Sequence, residues 1–88
     1  GAASRVIMNL PSESSRFIDV AALALKSSGG VIHFYQFQQE PNPIDGATEV
    51  LRAGIESSGR RVSRIAEGRL VKSVAPHKWQ VVVDAVIE

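Results

Sequence analysis

The sequence predicts an α/β fold with the element order β-α-β-α-β-β and an antiparallel hairpin at its carboxy terminus. Three observations predict it. Val6-Ile7-Met8 is an apolar run without polar alternation, the pattern of a strand covered on both faces in a parallel sheet. Two segments of helical spacing alternate with strand-like segments, and such β-α-β units close through right-handed parallel crossovers. The last two strand-like runs are separated by only a short turn, which requires an antiparallel pair.

The elements follow in order. Pro11 ends the first strand because it supplies no backbone donor. Ser12 or Ser14 can cap the next helix. Phe17, Val20, Ala21 and Ala24 share one helical face, widened by Ile18, Leu23 and Leu25. Ser27-Ser28-Gly29-Gly30 terminates that helix. Val31 to Phe37, rich in β-branched and aromatic residues, reads as the second strand. Residues 38–43 read as a loop because Pro41, Asn42 and Pro43 break any regular pattern. Asp45 is placed as the cap of a second helix whose apolar face is Ala47, Val50, Leu51, Gly54 and Ile55, with Gly59 as its stop. Val62 to Val74 reads as a long strand bent at Gly68. Ala75-Pro76-His77 forms the turn. Trp79, Val81, Val83, Ala85 and Ile87 then alternate with Lys78, Gln80, Val82, Asp84 and Val86 as the last strand.

Composition bounds the function. Eighty-eight residues make one small domain, able to bury roughly 60–65% of its unfolded surface. With 44% hydrophobic and 22% charged residues it is globular, and it lacks the run of about 20 apolar residues a transmembrane helix needs. Residues 1–4 carry no secretory pattern and read as a cloning scar or linker, leaving 5–88 as the domain. The absence of cysteine removes disulfides, thiolate metal sites and Cys nucleophiles. His33 and His77 are the only histidines and neither has a ligand cluster in sequence, so no metal site is expected. The net charge of +1 gives no global argument for nucleic acid. The charge is not evenly spread, however: Arg60, Arg61, Arg64, Arg69, Lys72 and Lys78 crowd the last third, opposed locally by Glu67. That stripe reads either as a solvated hairpin face or as a phosphate-contacting surface.

Arg5-Val6-Ile7-Met8-Asn9-Leu10-Pro11 places an Asn where a strand ends before a helix, the place at which open α/β sheets collect ligands. This segment resembles the Asn-Leu-Pro motif of the S-adenosylmethionine-dependent tRNA (guanine-37-N1)-methyltransferases, where it follows the fourth strand of the methyltransferase sheet. Gly29-Gly30-Val31-Ile32-His33-Phe34-Tyr35 is similar to the family's fifth strand. Val74-Ala75-Pro76-His77-Lys78-Trp79-Gln80-Val81-Val82-Val83-Asp84 is similar to its last hairpin. The three motifs cover almost the whole chain, in the right order. Together they resemble the carboxy-terminal half of the catalytic domain.

The resemblance implies half of a Rossmann-like class I methyltransferase fold. Its four-stranded mixed sheet would have the spatial order first, second, fourth, third. It implies that Asn9 is catalytic and helps orient guanine, and that Asn9, Leu10 and Pro11 line the S-adenosylmethionine pocket. The family's acidic base, an arginine and its Gly-rich cofactor loop lie upstream of the matched stretch. Glu13 stands near the motif, but an acid at a helix start is ordinary dipole chemistry. Tyr35 and Phe37 share a strand face with His33; they either pack in the core beside a hydrogen-bonded histidine or wall a base pocket by stacking. Arg69, Lys72 and Lys78 complete the candidate substrate surface. Trp79 reads as the anchor of the hairpin.

The implied parent is a cytoplasmic, RNA-binding enzyme of tRNA modification, with the tRNA anticodon stem-loop as partner and no membrane association. The alternatives are the related aminocarboxypropyl transferase of wybutosine synthesis and a non-catalytic α/β binding module. The chain alone is expected to be inactive and to bind cofactor weakly or not at all. Its first strand, left as a sheet edge, is expected to drive self-association through Arg5 to Asn9.

Overall fold

The computed structural model describes residues 1–9 and 13–88. Within them the chain forms one mixed sheet of four strands and two α-helices. The elements are β1 (Arg5–Met8), α1 (Ile18–Ala24) entered through a 3-10 turn at Ser14–Phe17, β2 (Gly30–Gln39), α2 (Pro43–Ser57), β3 (Val62–Ala75) and β4 (Lys78–Ile87). The sheet order is β1-β2-β4-β3, as the family resemblance implies. β1 and β2 are parallel, with Val6 beside Ile32 and Met8 beside Phe34. β4 is antiparallel to both of its neighbours.

Both helices pack on one face of this sheet. Ile32 and Phe34 of β2 and Val81, Val83, Ala85 and Ile87 of β4 point there, as period-2 alternation requires. They meet Ile18, Ala21, Ala22 and Leu25 from α1 and Ala47, Leu51 and Ile55 from α2 in a single core. Truncating a fully buried member such as Leu51 to alanine costs about 2–5 kcal/mol. The helices approach closely at Gly54, where an added Cβ would lie 2.7 Å from Ile18.

Several sequence expectations are corrected. The face Phe17–Val20–Ala21–Ala24 is not the core face of the first helix. Phe17, Val20 and Leu23 are exposed, while Ile18, Ala21, Ala22 and Leu25 go inward. The segment is apolar on two sides, and the side that reaches the sheet is the one that wins. The caps preceding the 3-10 turn and α1 are Glu13 and Phe17, and neither makes a side-chain capping bond. Ser12 lies outside the described residues.

Asp45 sits in the first turn of α2 rather than at its cap, because Pro43 starts the helix and Asn42 precedes it in the left-handed region. The expected loop at 38–43 shrinks to residues 40–42, since Gln38 and Gln39 keep their pairing with Trp79 and Lys78. β3 does bulge, at Val62/Arg64, Ile65/Glu67, Leu70/Lys72 and Ser73/Ala75, but not at Gly68. Gly68 stays paired with Val83, and its missing side chain makes room for Ile44, 2.6 Å from where a Cβ would stand. β1 is parallel but not covered on both faces: Met8 is buried and Ile7 is 61% exposed.

Candidate active site

The carboxyl end of β1 delivers the chain to Asn9, which is exposed immediately after the last paired residue, Met8. Asn9 lines an apolar cleft of about 240 Å³ between the outer side of β1 and the outward side of α1. Ile7, Met8, Phe17, Val20 and Ala24 form its walls, and Glu13 joins Asn9 as the other polar side chain on it. The second apolar side of the first helical segment therefore has a place in the fold: it walls the cleft. Glu13 Oε2 accepts a bond of 2.7 Å from Arg16 Nη1. Leu10 and Pro11, the other two candidate cofactor residues, lie outside the described residues.

Tyr35 and Phe37 lie on the sheet face opposite the helices. The register builds that face in rows: Tyr35 beside Val82 beside Arg69, and Phe37 beside Gln80 beside Lys72. Both aromatics are half-buried rather than core residues. Lys78 extends its ammonium over the Phe37 ring at 5.4 Å. The five candidate substrate residues Tyr35, Phe37, Arg69, Lys72 and Lys78 thus share one surface. His33 is on the same face, hydrogen-bonded as expected but outside the core, with Nδ1 2.6 Å from Asp84 Oδ1.

The basic stripe is divided. Arg60 is structural, donating to the carbonyls of Ala22, Leu25, Lys26 and Glu88. Arg61 pairs with the Glu88 carboxylate, and Arg69 lies 3.4 Å from Glu67. Among the described residues Arg64, Lys72 and Lys78 have no ion pair. At the far end of the sheet Glu40 ties the loop after β2 to the hairpin turn. Its carboxylate accepts from Trp79 Nε1 at 2.8 Å and from His77 Nδ1 at 3.2 Å, and these bonds hold its pKa below the usual carboxylate value. Trp79 is the hairpin anchor the sequence suggested. Neither the Arg60 clamp nor the Arg5–His33–Asp84 alignment was read from the sequence; both join residues far apart in the chain, and no local pattern marks them.

Comparison with known proteins places this geometry. The chain is 32% identical over 82 residues to the tRNA (guanine(37)-N(1))-methyltransferase Trm5b of Pyrococcus abyssi, covering 93% of this chain and 24% of that protein. Over that stretch the chain is similar to part of a Trm5b methyltransferase. It is also 35% identical over 86 residues to the tRNA(Phe) (4-demethylwyosine(37)-C(7)) aminocarboxypropyltransferase of Methanocaldococcus jannaschii, covering 98% of this chain and 34% of that protein.

The crystal structure of M. jannaschii TYW2 in complex with AdoMet superposes with a TM-score of 0.90 at 35% identity, over 98% of this chain and 38% of that one. The complex of aTrm5 with tRNALeu superposes with a TM-score of 0.75 at 34% identity, over 97% of this chain and 22% of that one. No family model matches the chain. It therefore spans about a quarter to a third of the length of these curated relatives. The similarity takes in nearly the whole chain, its four strands and two helices included, and Asn9 stands directly after the first of those strands.

Proposed function

We propose that this chain is part of an S-adenosylmethionine-dependent tRNA methyltransferase acting on N1 of guanosine 37, and that it contributes the Asn9 side of the reaction site. The observation that carries this reading is the position of Asn9: an exposed amide at the carboxyl end of a parallel strand, on the rim of an apolar cleft. The similarity to Trm5b of P. abyssi supports the chemistry.

The residues present fit part of the cofactor. A cleft of about 240 Å³ is smaller than the roughly 300–1,000 Å³ of complete small-molecule sites. It suits one portion of the ligand against Asn9, with Leu10 and Pro11 assigned to the cofactor by the family resemblance alone, and the chain alone binds S-adenosylmethionine weakly or not at all. Bound there, the cofactor supplies a methyl group activated by its sulfonium. The Asn9 amide both donates and accepts, which suits it to orient the guanine edge. The N1 proton must leave as the methyl group arrives. Glu13 is engaged by Arg16, so the base is assigned to the part of the parent enzyme this chain does not span.

The open sheet face is assigned to RNA. Tyr35 and Phe37 offer aromatic faces to unstacked bases, and Arg69, Lys72 and Lys78 offer charge to phosphates. The aTrm5–tRNALeu complex supports tRNA as the partner, here through its anticodon stem-loop. The parent is proposed to be cytoplasmic, as the family resemblance implies. Separately, no helix among the described residues is long and apolar enough to cross a membrane. Outside the parent, the chain self-associates through β1, the end strand of the sheet, at Arg5 to Asn9.

A second reading has a specific observation behind it, the 0.90 TM-score against TYW2. In it the same segment serves transfer of the aminocarboxypropyl group. A full-length enzyme carrying this segment is incubated with tRNA having G37, A37 or 4-demethylwyosine at position 37 and with S-adenosylmethionine labelled either in the methyl group or in the carboxypropyl chain. Methyl label alone, entering G37 tRNA alone, is the expected result. Carboxypropyl label in the tRNA would replace the proposal with the second reading. Neither label in any tRNA would leave a non-catalytic α/β module.

A further inference from the structure

Asn9 stands at the end of a short edge strand whose Met8 joins the core and whose Val6 packs against it. β1 has four residues, of which Met8 is buried and Ile7 is 61% exposed. It pairs with β2 on one side and with none of the described residues on the other. A polar chain nevertheless crosses from β1 into the sheet. Arg5 Nη1 lies 2.6 Å from His33 Nε2, and His33 Nδ1 lies 2.6 Å from Asp84 Oδ1. A guanidinium only donates, so His33 Nε2 accepts and carries no proton. The ring proton is therefore on Nδ1, donated to the Asp84 carboxylate.

The three groups come from β1, β2 and β4, and the register stacks them: Ile7 stands beside His33, and His33 beside Asp84. The His33 and Asp84 side chains are only 20% and 22% exposed, which limits competition from water. A slip of β1 by one residue, about 3.3 Å, would carry the Arg5 guanidinium out of reach of the ring.

We infer that Arg5, His33 and Asp84 position Asn9: they pin β1 along its axis and so fix the amide just beyond it. The inference rests on the assignment of Asn9 to the reaction site. None of the three touches substrate in this account. Their effect passes through the strand, and displacement of a reactive group by about 1 Å is enough to cost on the order of 100-fold in rate.

The test has two arms. In the 88-residue chain, the imidazole nitrogen shifts of His33 should report a protonated Nδ1 and a bare Nε2. Arg5→Ala, an exposed substitution that leaves the core intact, should speed amide exchange at Val6 and Met8, the β1 amides that the parallel register turns toward β2, by about 10-fold or more while Val81 to Ala85 keep their protection. In a full-length enzyme carrying the segment, Arg5→Ala and His33→Leu should lower kcat by about 10- to 100-fold with little change in KM for S-adenosylmethionine. His33→Gln, whose amide can accept from Arg5 and donate to Asp84, should recover most of the rate. In an Asn9→Ala background the Arg5→Ala loss should vanish.

A loss of the same size with and without Asn9, or unchanged exchange in β1, would overturn the inference. An unsubstituted enzyme inactive on G37 tRNA would instead remove the functional reading and leave the exchange arm to decide the triad.

Discussion

Arg60 shows how little a residue's type says about its role. In sequence it is one of six cations in a basic stripe. In the fold its guanidinium closes the open carbonyls at the end of α1, with Nη1 3.0 Å from Ala22 O and Nη2 2.7 Å from Lys26 O. Its Nε reaches Glu88 O at 3.0 Å. A helix end leaves such carbonyls unsatisfied, and a cation there also meets the negative end of the helix dipole. A hydrogen bond to a charged donor contributes about 1.5–3 kcal/mol. Arg60→Ala should therefore lower unfolding free energy by about 2–3 kcal/mol in urea. Arg60→Lys should recover only a minor part, because an ammonium cannot reproduce the planar fork. A loss below about 0.5 kcal/mol, the ordinary surface range, would show that the clamp is incidental.

The elements divide by what their formation depends on. β2, α2 and β4 were legible because their periodicity is their cause: Ala47, Leu51 and Ile55 recur at helical spacing and all go to the core. The first helix was legible as a helix but not in its rotation, since Phe17, Val20 and Leu23 compete with Ile18 and Leu25 for the inward side. The position of Asn9 at a strand end was readable from the apolar run and the proline after it. The rows that bring Tyr35, Arg69 and Lys72 together were not, because register depends on bulges in β3 that no local pattern marks.

One element contact has a pH dependence with a definite sign. The Trp79 bond, and after it the His77 bond, lowers the pKa of Glu40 in the folded chain. The stabilisation is thus fully present above the unfolded carboxylate pKa and is lost as pH falls through the depressed folded value. The gap in urea midpoint between the unsubstituted chain and Glu40→Gln should be widest near neutral pH and close as the pH is taken toward about 3. A gap that widens in acid would reverse the assignment.

The whole molecule is a sheet clothed on one face. The helices cover Ile32, Phe34 and the inward residues of β4, while the other face presents Tyr35, Phe37 and a row of cations. β1 closes one edge with an exposed Ile7 beside an apolar cleft. Both features suit a segment that completes a larger domain, in keeping with relatives three to four times its length. Alone, the chain should sediment with a concentration-dependent mass, and Ile7→Lys, placing a charge on that edge, should return it to monomer. A single monomeric species across the accessible concentration range would refute self-association.

If this chain brings Asn9 to a tRNA methyl-transfer site, loss of the Asn9 amide must appear in turnover. The first measurement is therefore the steady-state kinetics of Asn9→Ala in a full-length enzyme carrying the segment, on tRNA with G37. Asn9 is exposed, so Tm should stay within the small range of surface substitutions. Loss of a residue that orients the reacting base should lower kcat by about 100-fold or more. A kcat within about 2-fold of the unsubstituted enzyme, far short of that loss, would contradict the account.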